Sequence, residues 1–245
     1  AMMPAGAIAP TAIGVALTGR EPGMKEALLK SYGGTGKTEG AVALGLRWLA
    51  AQQHSSGMWS LSGPYTDGSG QENPEAATAM ALLAFQGAGY TPASDPKDPF
   101  TAVVRNGWKA LLKRQRSDGR FFEEANSTHQ LYTQAQCTMA LCELYAMTGD
   151  AVYYAAAQRA VDYCVKVQSP QGGWRYYVPP RDSDMSVTGW FVMALQSARM
   201  GGIEVPSPVF DKITEFLDTV ARGDEHGYDV GSRYAYMARD GATLT

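Results

Sequence analysis

The chain has 245 residues, of which 45% are hydrophobic and 18% are charged, and its formal net charge is -3. This composition is that of a globular protein with a core, and the length allows one or two domains. Basic residues do not cluster on any segment, so the charge pattern excludes a surface built for nucleic acid or anionic membrane. The three cysteines lie in apolar stretches, and this odd number argues against a disulfide framework.

Residues 1–36 are predicted to form a flexible lead-in with a short helix near residues 26–30. The first 19 residues carry no charge and are rich in Ala, Gly and Pro. They lack the basic start and dense apolar core of a signal peptide, and Pro4 and Pro10 argue against a membrane helix. We therefore expect no membrane span in this chain, and the compartment stays open because an upstream signal or anchor is compatible with the sequence.

Two kinds of helix alternate from residue 37 onward. One kind is apolar on every side, as in 76–85, and such helices are buried. The other kind has an apolar stripe and a charged face, as in 103–115, and belongs on the outside. The pattern predicts outer helices at 37–53, 100–116, 150–168 and 208–222, and inner helices at 72–88, 130–148 and 185–200. An inner layer ringed by outer helices predicts an all-α protein, with 37–245 forming one α/α toroid.

A recurring turn signal of Gln, Gly and an aromatic residue follows the outer helices at a period of about 55 residues, which is typical of a repeat protein. A Gln at a helix end can bind exposed carbonyl groups, Gly permits the turn, and the aromatic ring packs beneath it. We therefore predict structural clasps at Gln52 and Trp59, Gln115 and Phe121, and Gln168 and Trp174. A fainter fourth copy ends at 227–228 without its Gln.

These turns resemble the QW motifs of the squalene-hopene cyclase and prenyltransferase repeat superfamily. The stretches 75–90, 137–150, 172–176 and 186–206 are especially similar to a bacterial subgroup that is frequent in planctomycetes. The resemblance covers 37–245 and implies an α/α toroid. That superfamily closes its ring with more hairpins than this chain shows. Residues 242–245 are predicted to begin another inner helix, so the ring is expected to be incomplete or to be closed by residues beyond 245.

The inner helices share one register, because each carries the triplet Met-Ala-Leu at an equivalent position. In a toroid the starts of inner helices gather around one mouth of the central cavity, which is where we expect a ligand. The predicted lining residues are Tyr132, Ser186, Thr188 and Trp190, with Glu72, His129 and Asp184 as polar contacts.

The resemblance also implies a comparison with the DxDD-T motif of class II terpenoid cyclases, whose middle Asp protonates an alkene. Aligning Thr188 with the motif's Thr places Asp184 on its first Asp and Ser186 on the protonating Asp. A serine hydroxyl is too weak an acid for that step. We therefore expect no cyclisation of this type. Asp182 and Asp184 are the candidates for a displaced acid, with Asp184 preferred, and the competing interpretation is that Asp184 or Ser186 caps the helix.

No cofactor or metal is expected. The chain contains only His54, His129 and His226, and His129 lies eight residues from Cys137, too far along one helix for a shared zinc ion. The segment 34–38 is similar to part of a P-loop, but the required upstream Gly and strand are missing.

The expected function is that of a prenyltransferase- or squalene-cyclase-like repeat domain that binds an apolar or isoprenoid-like ligand in its cavity. One alternative is a terpenoid cyclase or transferase with a displaced acid. Another is a non-catalytic protein-interaction scaffold whose centre is filled by its own side chains. A ligand site needs a cavity of about 300 Å³ or more, whereas an isolated, desolvated carboxyl group would favour an enzyme.

Overall fold

The structure is a computed structural model, and it describes residues 17, 19–20, 22–123, 129–178, 181–222, 233–235, 237 and 243–244. The helices are α1 (Pro22–Ser31), α2 (Gly36–Ala51), α3 (Pro74–Gly87), α4 (Thr101–Leu112), α5 (Gln130–Thr148), α6 (Ala151–Lys166), α7 (Met185–Met200) and α8 (Ser207–Val220). Three short strands follow, β1 (Ala221–Arg222), β2 (Arg233–Ala235) and β3 (Thr243–Leu244). The prediction of an all-α fold with an α/α arrangement is confirmed.

Helix starts are set by short polar side chains that accept hydrogen bonds from the first turn. Thr35 and Thr38 form a reciprocal capping box at the start of α2. Asn73 caps α3 directly before Pro74, and Asp150 caps α6. These side chains satisfy backbone N–H groups that have no partner within the helix. At these three helices a local polar residue therefore sets where the helix begins, whereas α4, α5 and α8 start without a side-chain cap.

The inner layer consists of α3, α5 and α7, and α5 packs against both of the others. Its side chains Leu131, Leu141 and Leu144 are fully buried, as are Leu82 in α3 and Leu195 in α7. The outer helices α4 and α6 each bury one stripe against this layer, including Val104, Trp108 and Leu111 of α4. The core therefore lies between the inner helices and the inward faces of the outer ones, as the hydrophobic pattern indicates.

A repeated clasp joins each outer helix to the next one. In the first copy the side-chain amide of Gln53 donates to the Gly57 carbonyl at 2.9 Å and to the Val103 carbonyl of α4 at 2.9 Å. The sequence analysis assigns this role to Gln52, which is wrong by one residue, because the donor is Gln53. The backbone N–H of Gln52 caps the end of α2 instead. One position along a helix rotates a side chain by about 100°, so only Gln53 faces α4.

The other two copies have the same geometry. Gln115 donates to the carbonyl groups of Gly119 at 3.4 Å and Ala156 at 2.8 Å. Gln168 donates to those of Gly172 at 2.7 Å and Val209 at 3.1 Å. With the corrected register, all three clasps read Gln-x3-Gly-x-aromatic in the sequence. Each amide thus ties its own turn to the N-terminal half of the following outer helix.

The aromatic residue of each clasp is buried. The Trp174 indole donates to the Cys164 carbonyl at 3.0 Å, and its ring stacks on Phe191 at 4.5 Å between centroids and 8° between planes. The Trp59 indole makes the corresponding bond to the Leu49 carbonyl at 2.8 Å. The rings therefore anchor each turn to both the preceding outer helix and the inner layer.

The C-terminal segment differs from its prediction. Residues 242–245 were expected to begin an inner helix, but Thr243–Leu244 forms β3, which pairs antiparallel with β2, and β2 pairs with β1. Strands of two or three residues are too short to show the alternating pattern by which strands are recognised. The fourth clasp at 227–228 and His226 lie outside the described residues. Within the described part of the chain, no helix is both long and apolar enough to span a membrane.

Candidate functional site at the mouth of the inner layer

The starts of the inner helices are linked side by side. The side-chain amide of Asn73, before α3, donates to the Thr133 hydroxyl of α5 at 2.8 Å. The Tyr132 hydroxyl of α5 lies 2.5 Å from the Ser186 hydroxyl of α7. The starts of the three inner helices therefore meet along one edge, here called the mouth.

Asp184 is the buried carboxylate of this mouth. Its Oδ1 atom accepts hydrogen bonds from the Val187 N–H and the Ser186 hydroxyl, both at 2.8 Å, so Asp184 caps α7. Its Oδ2 atom accepts no hydrogen bond and lies 3.8 Å from Nε of Arg175. Burial raises the pKa of Asp184, against the opposing effect of these hydrogen bonds and of the Arg175 charge.

Arg175 lies beside this carboxylate, and three tyrosines are linked to Arg175 through ring contacts. The guanidinium donates to Asp182 Oδ2 at 2.5 Å and lies over the Tyr176 ring at 5.3 Å. The Tyr176 ring is tilted against Tyr132, with 6.1 Å between centroids, and meets Tyr177 edge-on at 5.9 Å. Tyr177 is 52% exposed. We call these residues, Tyr132, Arg175, Tyr176, Tyr177 and Asp182, the Arg175 cluster.

Sequence reasoning missed the central part of this cluster. The sequence pattern places Trp174 at the end of a structural turn and the stretch 172–176 in the family resemblance, but it assigns none of Arg175, Tyr176 and Tyr177 to the site. The available signal was the run Trp-Arg-Tyr-Tyr, in which a cation is flanked by aromatic residues directly after the turn. The isolated bridge between Trp174 and Asp184 then places this run against the start of α7.

Glu72 lies before α3 and is more exposed. It accepts hydrogen bonds from the Ser60 hydroxyl, the Leu61 N–H at 2.9 Å and the Asn73 N–H at 2.8 Å. Partial burial raises the pKa of Glu72, but the hydrogen bonds outweigh it, and the net pKa lies below its usual value. The carboxylate therefore orders the loop before α3.

Three other predicted lining residues, Thr188, Trp190 and His129, make different contacts. Thr188 is fully buried, and its hydroxyl accepts from the Trp174 N–H at 3.0 Å, so it supports the turn behind the mouth. Trp190 is partly buried and packs against the core. His129 is partly buried at the start of α5, where its carbonyl accepts from the Thr133 hydroxyl at 2.9 Å. Of the predicted set, Tyr132, Asp184 and Ser186 therefore form one connected group.

The inner helices also expose an apolar stripe. Met80 of α3 is 41% exposed and Met193 of α7 is 43% exposed, although both helices are otherwise mostly buried. Ala84 and Gly87 continue the stripe along α3 at helical spacing, and Met139 lies at the equivalent position of α5. We call this surface, Met80, Ala84, Gly87, Met139 and Met193, the methionine stripe.

The described residues contain no group of three or more His, Cys, Asp or Glu side chains arranged to hold a metal ion. The thiols of Cys137, Cys142 and Cys164 are buried, and burial raises the pKa of Cys164 to about 12, so it is not a poised nucleophile.

A search of curated protein sequences finds no match to this chain. The family model described as pectic acid lyase matches residues 123–191, which is less than a third of the chain. The resemblance to the cyclase and prenyltransferase superfamily concerns a different family and therefore stays a prediction. The segment from residue 123, before α5, to residue 191, in the first half of α7, is similar to the pectic acid lyase family.

Proposed function

We propose that the mouth binds a polysaccharide chain through the Arg175 cluster. The observation that carries this proposal is that every residue of the cluster lies inside the segment that matches the pectic acid lyase model. The description of that family suggests an acidic polymer such as pectic acid. The remainder of the chain supplies the scaffold that holds the cluster.

The chemistry of the cluster suits such a ligand. Binding sites commonly combine aromatic surface with a few fixed polar groups. Tyr177 offers a ring that is half exposed, and Tyr176 and Tyr132 extend it inward. The Arg175 guanidinium has a planar array of donors that matches carboxylates and vicinal hydroxyl groups. Asp182 and Asp184 hold this guanidinium from two sides, so its orientation is set before a ligand arrives.

Binding can be tested by calorimetric titration of the protein with oligogalacturonates. Tyr177→Ala is expected to weaken binding by up to about tenfold, because an aromatic contact contributes roughly 0.5–1.5 kcal/mol. Arg175→Gln should weaken it further. Tyr32→Ala is the matched control, since Tyr32 is 84% exposed and lies outside the cluster. Equal affinities of Tyr177→Ala and Tyr32→Ala, or no binding by the wild type, would refute the proposal.

The same samples test for catalysis. Elimination on a uronate chain creates an unsaturated product that absorbs ultraviolet light. If the wild type releases such a product and Arg175→Gln does not, the binding site is also the site of a lyase reaction. If binding occurs without product, the chain is a binding module.

The methionine stripe supports a second candidate, the binding of an apolar or isoprenoid-like ligand. Exposed methionines are adaptable surfaces for apolar ligands, and the repeated clasps support membership of the cyclase and prenyltransferase superfamily. Met193→Lys should abolish binding of a polyprenyl alcohol and leave oligogalacturonate binding unchanged. Turnover of a polyprenyl substrate that disappears in Asp184→Asn would instead favour a cyclase or transferase with a displaced acid. Binding of neither ligand class would favour the interaction scaffold.

A further inference from the structure

A separate charged cavity lies where α4 ends. It has a volume of about 390 Å³, and its lining combines cations, carboxylates and two buried aromatic rings. The cations are Lys113, Arg114 and Arg116, the carboxylates are Glu75 and Glu123, and the rings are Phe121 and Phe122. None of these residues belongs to the Arg175 cluster. The cavity is therefore a second place at which a ligand can be held.

The charges of this cavity leave an excess of one positive charge in a chain whose net charge is -3. Arg114 pairs with Glu75 at 2.9 Å, and Arg116 pairs with Glu123. Among the described residues, no hydrogen-bond or ion-pair partner approaches the ammonium group of Lys113, whose backbone N–H donates to the Leu111 carbonyl. A cavity with an unpaired ammonium group and two further guanidinium groups favours an anionic ligand.

The cavity and the Arg175 cluster lie at the two ends of one line of contacts. Glu75 is in the first turn of α3, two residues after Asn73, which binds Thr133 of α5. The neighbouring Tyr132 binds Ser186 of α7, and Ser186 binds Asp184 beside Arg175. Packed helices lie roughly 8–10 Å apart, so two such steps separate the ends by on the order of 20 Å. An extended polymer can reach both.

We propose that this cavity is a second subsite, which binds a carboxylate of an acidic glycan whose other end lies on the Arg175 cluster. The inference rests on the proposed function and narrows it from polysaccharides in general to long polyanionic chains. Two linked contacts raise affinity once the ligand spans both, because the second contact is then intramolecular. The affinity of the protein should therefore rise with oligomer length for acidic oligomers and not for neutral ones.

The test is calorimetric titration with galacturonate oligomers of increasing length and with neutral galactose oligomers of the same lengths. The proteins are wild type, Lys113→Gln, Arg116→Gln and the control Lys109→Gln. Lys109 is exposed on α4 and does not line the cavity, so its variant removes the same charge nearby. Circular dichroism melting checks that all four proteins fold alike.

We expect Lys113→Gln and Arg116→Gln to lose roughly fivefold in affinity for long acidic oligomers at low salt, the scale of solvent-exposed ion pairs. The loss should shrink as salt is added, and it should be absent for short acidic oligomers and for neutral ones. An equal loss in Lys109→Gln, or no loss in any variant, would overturn the second subsite.

The two proposals fail in different ways. If neutral and acidic oligomers bind the wild type equally well and Tyr177→Ala weakens both, the proposed function stands and the second subsite is wrong. If no oligomer of either kind binds, both are wrong. If long acidic oligomers bind and only the cavity variants weaken them, the cavity binds the glycan by itself, and both the role of the Arg175 cluster and the two-site arrangement are wrong.

Discussion

The turns that lead into α3 and α7 share one scaffold but differ in their carboxylates. The backbone N–H of Trp59 donates to the Thr78 hydroxyl of α3, and that of Trp174 donates to the Thr188 hydroxyl of α7, both at 3.0 Å. Glu72, on the first turn, is exposed, and its hydrogen bonds lower its pKa. Asp184, on the second, is fully buried, and burial raises its pKa.

This comparison separates the contacts that recur in both turns from the buried carboxylate that only the second turn has. The shared contacts bind a turn to an inner helix and explain why the motif recurs. A buried carboxylate is costly unless it is paired and hydrogen-bonded. Asp184 has such partners in Val187, Ser186 and Arg175, and through Arg175 it also holds the exposed face of the cluster. The unrepeated feature is therefore where we place the function.

The largest expected effect is the loss of an indole. Trp174→Ala should lower the free energy of unfolding by about 3–5 kcal/mol, the range for a large buried aromatic residue. Trp59→Ala should cost less, because Trp59 lies 6.2 Å from Phe85 in a tilted arrangement, whereas Trp174 is stacked on Phe191. Trp48→Ala is the control, since Trp48 is 50% exposed. Denaturant unfolding measures all three, and a wild-type midpoint for Trp174→Ala would show that the ring does not anchor the turn.

Substitution of the turn glycines should have the next largest effect on the free energy of unfolding. Gly172 has a φ of +94°, and a Cβ atom there would lie 2.0 Å from the Lys212 carbonyl oxygen. At Gly57 the corresponding distance, to the Asn106 oxygen, is 2.6 Å. Gly172→Ala should therefore cost about 2–4 kcal/mol, from backbone strain and overpacking together.

Gly149 separates these two causes of instability. It also has a positive φ, but a Cβ atom there would meet nothing within 4 Å. Gly149→Ala should therefore cost only about 1 kcal/mol, because strain acts without a clash. Thermal melting of Gly172→Ala, Gly57→Ala and Gly149→Ala gives the order of their stabilities. Equal losses of stability at Gly172 and Gly149 would contradict the close approach of α8 to Gly172.

A smaller effect tests the corrected register of the first clasp. Gln53→Ala should cost about 1–2 kcal/mol, because it leaves the Gly57 and Val103 carbonyl groups without their donor. Gln52→Ala should change the free energy of unfolding by less than about 0.5 kcal/mol, as expected for a site without such contacts. The reverse order in denaturant unfolding would restore the original assignment.

The pH dependence of stability should differ in sign between the two carboxylates. The raised pKa of Asp184 means that its contribution is fully present below the unfolded pKa, near 3.8, and is lost as the pH rises through the folded pKa. Relative to wild type, Asp184→Asn should therefore gain stability as the pH rises from the acid side toward neutrality.

Glu72 should behave in the opposite way. Its lowered pKa stabilises the fold above the unfolded value, near 4.5, and this contribution is lost as the pH falls through the folded pKa. Glu72→Gln should therefore be most destabilising at neutral pH, and its effect should shrink in acid. Unfolding curves over that range measure both slopes, and slopes of the same sign would contradict the contrast in burial.

Much of the fold was predictable because it depends on local pattern. The period of the apolar residues located the helices, and α5 and α7 begin and end where the pattern places them. The glutamine of the first clasp was predicted one residue too early. Gln52 and Gln53 are adjacent, and the sequence alone does not show which of them faces the neighbouring helix. The C-terminal strands were missed because they depend on pairing between residues 8 to 13 positions apart, which no local period reports.

The candidate site was only partly predictable. Tyr132, Asp184 and Ser186 were found because they start inner helices, and the register brings such residues together. Arg175 follows a structural turn, and its proximity to Asp184 comes from a single bridge that no motif marks. Thr188 was assigned to the lining because of its place in the sequence, but its hydroxyl faces the turn behind the mouth.

The most direct test of the central claim is a crystal structure of the protein with a galacturonate oligomer. The account predicts a sugar ring against Tyr177, with a polar group of the ligand on the Arg175 guanidinium and Asp184 still capping α7. An oligomer that lies along the methionine stripe, or an Arg175 cluster that stays empty at saturating ligand, would contradict it.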